Sequence, residues 1–419
     1  MLLVYDGFIQ LYRLAVKLAA YGNKKAAAWI DGRKKVAEQL QKNIAPADAV
    51  IWMHCSSAGE FEQGKPVIEA LKAAYPQKKI LVTFFSPSGY GAARNYPHAD
   101  ILTYLPLDTK KEAERFYHQV RPSLVIFVKY EFWYHHLATA AFHHVPILLI
   151  SAVFRKDQLF FRTYGGFYRQ MLFLFRHIFV QDSTSLDLLQ ANGISHCSIG
   201  GDTRFDRVVK IAKSASDIPL ISEFAAGKKL LVAGSTWPGD EDVLALYVRQ
   251  NRDVKLIIVP HEINAGHISQ VQALFDGALL YSALEKGTAR LSARDNSQTL
   301  IIDCVGLLSR LYRYATITYV GGGFTKDGIH NILEAAVWGK PVLFGPHFEK
   351  YREGKEMIAA GGAFSFADAG GFKKIADDLL TDENHLRKTG LAAKRYIDEN
   401  TGATGTILEF IQEKRLLTN

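Results

Sequence analysis

Gly321-Gly322-Gly323-Phe324-Thr325-Lys326-Asp327-Gly328-Ile329-His330-Asn331-Ile332-Leu333-Glu334-Ala335-Ala336, closed by Gly339-Lys340-Pro341-Val342, is the stretch from which the fold is read. Ala315 to Val320 ahead of it is a β-branched and aromatic run, hence a strand. The glycines let backbone approach a ligand closely, and Asn331 to Trp338 reads as a helix stopped by Gly339-Lys340-Pro341. A helix starting beside a glycine turn presents N–H groups and a positive dipole end, which suits a phosphate. Asn331 and Glu334, three apart, share a face, so Glu334 can accept from the hydroxyls of a nucleotide's sugar. A tight turn in an ordinary α/β unit stays open as the other reading. The run does not continue as G-x-G-x-x-G and lacks the lysine and hydroxyl of a P-loop.

Working outward, Ala49 to Cys55, Lys79 to Phe85, Ser123 to Val128, Pro146 to Ala152 and His177 to Gln181 read as short apolar strands. Lys65 to Ala74, Lys110 to Val120 and Thr184 to Asn192 read as helices between them, the signature of a parallel sheet with crossovers. Leu230 to Ala233, Lys255 to Val259, Thr299 to Asp303, Thr316 to Val320 and Pro341 to Phe344 repeat the pattern. The expected divisions are an N-terminal helix and basic segment (1–35), a first Rossmann-like domain (36–206), a polar linker (207–226), a second Rossmann-like domain (227–395) and a C-terminal helix (396–419).

Composition bounds the class. The chain has 419 residues, 48% hydrophobic and 22% charged, which is globular and long enough for two cores. Cys55, Cys197 and Cys304 have no metal spacing, so a disulfide framework is not expected. The formal charge of +8 suits an anionic partner. Between Leu2 and Tyr21, Asp6, Gln10, Arg13 and Lys17 lie on one narrow stripe of an otherwise apolar helix, which suits a membrane interface, or packing on its own domain, but not a full span. No small-residue cleavage site follows. Lys24, Lys25, Arg33, Lys34 and Lys35 favour an anionic lipid surface. Phe154 to Arg176 mixes aromatics with arginines, as a bilayer headgroup contact or a core helix would, and no nucleic-acid motif accompanies it.

Glu60 and Glu131 each follow a strand, so both belong at the carboxyl edge of the first sheet. Glu60 also opens a helix after Gly59, where the dipole favours its carboxylate. Ser235 and Thr236 follow a strand of the second sheet and offer donors to a phosphate, or a helix cap. Asp240 and Asp242 resemble a D-x-D metal motif but read as acids in a helix's first turn, so no metal site is expected.

Ser56-Ser57-Ala58-Gly59-Glu60, Glu131-Phe132-Trp133, Gly234-Ser235-Thr236-Trp237, the opening stretch and Phe344-Gly345-Pro346 occur in an order that resembles the 3-deoxy-D-manno-octulosonic acid (Kdo) transferases of lipopolysaccharide synthesis. The likeness runs from the N-terminal helix to about residue 400. It implies a GT-B glycosyltransferase, two Rossmann-like domains facing a central cleft, with an N-terminal amphipathic membrane-association helix. The implied reaction is an inverting, metal-independent transfer of Kdo from CMP-Kdo to a lipid A precursor (lipid IVA), with no cofactor. The implied location is the cytoplasmic face of a Gram-negative inner membrane. The resemblance makes Glu60 the base, Glu131 an organiser of the transition state, and Arg204, where the family has lysine, a cation for the donor. It assigns nucleotide contacts to Pro260, His261, Val305, Gly306, Leu307, Asn331, Ile332, Leu333 and Glu334. Weaker phosphate contacts fall to Ser235, Thr236, Gly322, Gly323 and Lys326. His261 stands where many members have arginine, and Tyr134 where proline is usual, so a different loop path is expected there. The alternatives are a GT-B enzyme using a UDP-sugar, of the lipid-linked N-acetylglucosamine transferase or UDP-sugar epimerase type, and a non-catalytic membrane-surface binding protein.

Overall fold

The computed structural model describes residues 1–291 and 297–417. The chain divides into two compact units, Met1–Arg207 with Thr401–Asn419, and Val208–Asn400. The first contains β1 (Val50–Cys55), β2 (Lys79–Phe84), β3 (Ile101–Tyr104), β4 (Pro122–Val128), β5 (Ile147–Ala152), β6 (His177–Val180) and β7 (Cys197–Ile199). They form one sheet in the order β3-β2-β1-β4-β5-β6-β7. Every pairing is parallel. The second unit contains β8 (Lys229–Thr236), β9 (Val254–Pro260), β10 (Leu279–Leu280), β11 (Thr299–Ile301), β12 (Ile317–Val320), β13 (Val342–Phe344) and β14 (Ala363–Ser365), ordered β10-β11-β9-β8-β12-β13-β14 and again parallel.

Parallel strands need crossovers, and the helices that supply them cover both sheet faces, so the central strands are apolar along their whole length. β1, for example, is buried at every position. Strand order reverses between β1 and β4 and between β8 and β12. Loops diverge above and below the sheet at such points, which leaves a crevice at the carboxyl ends of the strands.

The predicted linker is helical, over Thr203–Ser214 and Pro219–Ala225. The predicted C-terminal helix at 396–419 begins later, as Ala403–Glu413, because Glu383–Glu399 is a separate helix ended before Gly402. Residues 418 and 419 of that expectation, and 292–296 of the second domain, lie outside the described residues. Asp206 joins the last helix to the first unit by accepting from the Gly402 N–H at 2.7 Å and the Thr404 N–H at 2.6 Å.

The N-terminal helix Leu2–Ala19 packs one side on its own domain and leaves an apolar side exposed. Tyr5 and Ile9 are buried against the first unit. Asp6, read as part of an exposed stripe, instead pairs with His135 Nε2 at 2.6 Å. Leu3, Val4, Phe8, Leu11 and Leu18 are all more than 60% exposed. Among the described residues no helix is long and apolar enough to cross a membrane.

Of the two readings of the aromatic and arginine segment, the core reading holds for three of its rings. Phe154, Phe160 and Phe175 are core residues. Arg169 turns inward to donate from Nε to the Phe160 carbonyl at 2.8 Å, and Arg162 donates to the Asp157 carbonyl at 3.2 Å. The arginines tie down irregular backbone that lacks its own ladder.

Tyr5 donates its hydroxyl to buried Asp108, which also accepts the N–H groups of His135 (3.1 Å) and His136 (2.9 Å). Burial and the Asp108 carboxylate together push the Tyr5 phenol up, so it stays a donor. Tyr5→Phe is expected to destabilise the first unit by about 1–3 kcal/mol, the cost of removing a donor to a buried charge. Leu3→Ser should change stability by less than about 0.5 kcal/mol. Urea unfolding of the two variants checks both values.

Candidate active site

The carboxyl ends of β1 and β4, adjacent strands, carry Glu60 and Glu131. Glu60 is the third residue of the helix Ala58–Ala74 and closes a capping box. It accepts the Ser57 N–H at 2.9 Å and the Ser57 hydroxyl, so the backbone around it is fixed. Burial alone would push the Glu131 carboxyl up. The neighbouring polar side chains of His54, Ser56 and Trp133 outweigh it, and Glu131 titrates below the ordinary value. Ser56, which directly precedes the Glu60 cap, is thus among the groups that favour the Glu131 carboxylate.

Trp133 is the N-cap of the helix Tyr134–Phe142, and its ring stacks on Phe85 with centroids 4.6 Å apart. Tyr134 takes the first helical position, where proline is well accommodated, and its N–H is met by the Tyr5 hydroxyl at 3.3 Å.

Arg204 is clamped on Asp202, with Nε 2.8 Å and the second nitrogen 2.7 Å from the same carboxylate oxygen. Burial would raise the Asp202 carboxyl; Arg204 and Gln63 bring it below its usual value. Tyr130 shows what surrounds this edge. Its phenol is pushed up by burial, pulled down by Arg155 and Arg204, and pushed up again by Glu60. Lys129 Nζ stands 5.3 Å and the Arg155 guanidinium 5.9 Å from the Tyr130 ring. Lys129 holds a left-handed φ of 70°, an uncommon conformation for a residue with a Cβ and one concentrated at functional loops. The sequence reading missed Lys129 and Tyr130 and placed Arg155 in a segment open to either a bilayer contact or a core helix. Their signal was position, directly after β4 and β5.

In the second unit, Pro260 and His261 end β9, Ser235 and Thr236 end β8, Gly321 to Gly323 end β12, and Val305 to Leu307 follow β11. All lie at one edge of four neighbouring strands. His261 stacks over Trp237 (4.8 Å) and His330 (4.4 Å), while Trp237 donates from Nε1 to His330 Nε2 at 3.0 Å. Burial and neighbouring His261 push His330 down to about 4, which keeps it neutral at pH 7 and able to accept from Trp237. Glu334 accepts from Asn331 Nδ2 at 3.0 Å. Val305 is 83% exposed, Gly306 is left-handed at φ 91°, and Lys326 is exposed.

Two expectations are corrected here. The helix predicted over Asn331 to Trp338 is one turn, Leu333–Ala336, and starts ten residues beyond the glycines, so its dipole does not point from the glycine turn. The glycines instead serve close packing and a carboxylate. Gly322 donates its N–H to Asp240 at 2.9 Å, and Asp240 also accepts the Tyr319 hydroxyl (2.6 Å) and the Trp237 N–H (2.9 Å). A Cβ on Gly323 would fall 2.5 Å from Gly345 backbone. Asp240 is in the first turn of its helix, as read, but burial pushes its carboxyl up and its work is to pin the loop. Thr236 likewise donates to Glu241 at 3.0 Å, and Glu241 accepts from His267 at 3.0 Å. Among the described residues no group of His, Cys, Asp and Glu is arranged to hold a metal ion.

Two parallel sheets with switch-point residues on each are the hallmark of the GT-B glycosyltransferases. Solved structures agree on the fold: UDP-GlcNAc 2-epimerase from Neisseria meningitidis aligns with a TM-score of 0.61 at 14% identity, covering 87% of this chain and 100% of that one. MurG from Acinetobacter baumannii aligns with a TM-score of 0.54 at 12% identity, covering 87% and 99%. Residues 30–207 match the family model described as 3-deoxy-D-manno-octulosonic-acid transferase (kdotransferase). Relatives described as 3-deoxy-D-manno-octulosonic acid transferase include that of Aquifex aeolicus, 27% identical over 89% of this chain and 96% of its own length, and that of Bordetella pertussis, 25% identical over 88% of each. The match over residues 30–207 and these relatives support the 3-deoxy-D-manno-octulosonic-acid transferase family, and the chain is a glycosyltransferase.

Gly323→Ala is expected to force the loop off Gly345 at a cost of about 1–3 kcal/mol, because backbone on both sides leaves nothing soft to yield. Gly361→Ala has open space around its Cβ but a φ of 77°, so its cost is conformational alone, about 1 kcal/mol. Chemical denaturation of the two variants, followed beside CMP binding, checks the contrast: Gly323→Ala should weaken CMP and Gly361→Ala should not.

Proposed function

We propose that this protein is an inverting transferase that moves Kdo from CMP-Kdo to a lipid A precursor in lipopolysaccharide synthesis, working at the cytoplasmic face of a Gram-negative inner membrane. The observation that carries the reading is the pair Glu60 and Glu131 at the β1/β4 switch point, flanked by Lys129, Arg155 and Arg204. The family match and the names of the relatives supply the sugar.

In the proposed reaction Glu60 takes the proton from the acceptor hydroxyl as that oxygen attacks the anomeric carbon, and the bond from that carbon to the CMP phosphate breaks. The cap engages Glu60 Oε2, and Oε1 is the oxygen assigned the proton. Glu131, held as a carboxylate, faces the positive charge that develops on the sugar. Arg204 and Arg155 offset the negative charge of the sugar acid and the leaving phosphate, a task for which fixed guanidinium groups need no metal. The nucleotide is assigned to Pro260, His261, Val305 to Leu307 and Asn331 to Glu334 of the second unit. Glu334, already aimed by Asn331, takes the ribose hydroxyls. His261, stacked on two rings, contributes a flat surface rather than the permanent cation its position often supplies in the family.

The exposed apolar face of the N-terminal helix is assigned to the membrane interface. An apolar strip of that size with its opposite face docked lies in an interface without spanning it.

Glu60→Gln should lower turnover by about two to four orders of magnitude, the contribution of a general base. CMP affinity should be unchanged, because the nucleotide is assigned to the other unit. Single-turnover transfer from CMP-Kdo to a tetra-acylated acceptor, read by mass spectrometry, tests the first; a titration with CMP tests the second. Turnover above about a tenth of wild type would remove Glu60 as the base.

Replacing Leu3, Phe8 and Leu11 together with serine should release the protein from anionic vesicles in a flotation assay while leaving its unfolding midpoint in place, since Tyr5 and Ile9 keep the helix docked. High salt should weaken wild-type binding only partly, because burial of apolar surface is not screened.

A further inference from the structure

His54 and Thr83 are polar residues at cross-strand partner positions in β1 and β2, strands otherwise apolar in their buried stretch, and both are fully buried. Thr83 Oγ1 lies 2.8 Å from Trp52 Nε1 and 2.9 Å from His54 Nδ1. An indole N–H can only donate, so Trp52 fixes Thr83 as acceptor on that side. The hydroxyl has one proton to give. Its acceptors are His54 Nδ1 at 2.9 Å and the Met53 carbonyl at 3.5 Å, and the shorter contact takes it.

His54 Nδ1 therefore accepts, and a neutral imidazole must then carry its proton on Nε2. Nε2 has no hydrogen-bond partner within the described residues, and Glu131 Oε2 stands 4.0 Å away. That separation is too long for a hydrogen bond. It leaves a buried donor aimed at a carboxylate across a gap that a shift of about 1 Å in Glu131 would close, to the ordinary N–H to O distance.

We propose that Trp52, Thr83 and His54 form a directional hydrogen-bond relay that positions Glu131, with His54 donating its Nε2–H when Glu131 moves into its working place. Each donation polarises the next, so the relay strengthens the last bond without placing a charge in the core. Glu131 lies between Ser56, on the loop that carries Glu60, and His54 in β1. The unmade bond favours movement toward His54, because closing it satisfies a buried donor. The other titratable neighbour of His54 is His136, itself buried, pushed down by burial and pulled up by Asp108. His54 is a positioning residue and touches no substrate.

The catalytic part of this inference rests on the transferase reading of Glu131; the proton's location does not, and the test separates them. Long-range nitrogen–proton NMR on the full chain, with His54 assigned by its absence in His54→Gln, should show the neutral Nε2–H tautomer from pH 6 to 8. Thr83→Val should erase that preference. In transfer assays Thr83→Val should lower kcat by up to about 100-fold, the scale of a misplaced catalytic group, with KM for CMP-Kdo nearly unchanged. His54→Gln, which keeps an N–H donor, should retain more activity than His54→Leu. An Nδ1–H tautomer or an imidazolium in the wild-type protein would overturn the relay, whatever the activities. A folded Thr83→Val with full kcat would overturn its role in positioning, and should that variant not fold, the wild-type tautomer and the Gln-against-Leu comparison decide.

Discussion

Both units depend on one constraint: a parallel sheet covered by helices on both faces leaves only its strand ends available for chemistry. Along β1 and β4 every position but one is buried, and almost every side chain is spent on the core. What remains is the edge where strands hand over to helices, and there the order reverses between β1 and β4 and between β8 and β12. The carboxylates Glu60 and Glu131 sit at the first reversal, and Trp237 with the glycines at the second. The sites are where they are because the sheets permit no other place.

That constraint also explains which elements were legible in the residues alone. Each of the ten strands read from apolar runs is present, and those missed are β3, β7, β10 and β14, the outermost strands of the two sheets. An edge strand pairs on one side and is partly exposed, so it is short and lacks the continuous apolar run that marks a central strand. β10 has two residues, both half-buried. Ser183–Ala191 and Lys110–Val120 were legible as helices because Asp182 and Thr109 cap them through their side chains. The one-turn helix Leu333–Ala336 was read as longer because Val337 and Trp338 have helical composition, while the chain there is turning toward Gly339.

The candidate site was legible in part for the same reason. Glu60 and Glu131 follow strong strands, so their placement at one edge follows from strand prediction alone. Asp240 holding Gly322, and Trp237 holding His330, join residues 82 and 93 positions apart, and no local pattern announces such contacts. His54 differs, since a polar residue inside the run Val-Ile-Trp-Met-His-Cys is an anomaly plain in the residues themselves. The aromatic segment left two readings open for the opposite reason. Phe160 and Arg169 look like an interfacial mixture in sequence, yet the arginine serves the carbonyl of the phenylalanine it sits beside in space.

The return of residues 401–419 to the first unit makes the second unit, topologically, an insertion. Ile407 and Ile411 lie in the same buried cluster as Ile126 and Phe179, and Phe410 packs on His177 at 4.4 Å. During synthesis the first unit therefore emerges with a gap in its core that stays open while nearly two hundred further residues are made, whereas the second is contiguous and can close as soon as it leaves the ribosome. The order of completion is the reverse of the order of translation. The part that bears Glu60, Glu131 and the exposed apolar helix is therefore the last to be finished, although its first residues are the first to be made.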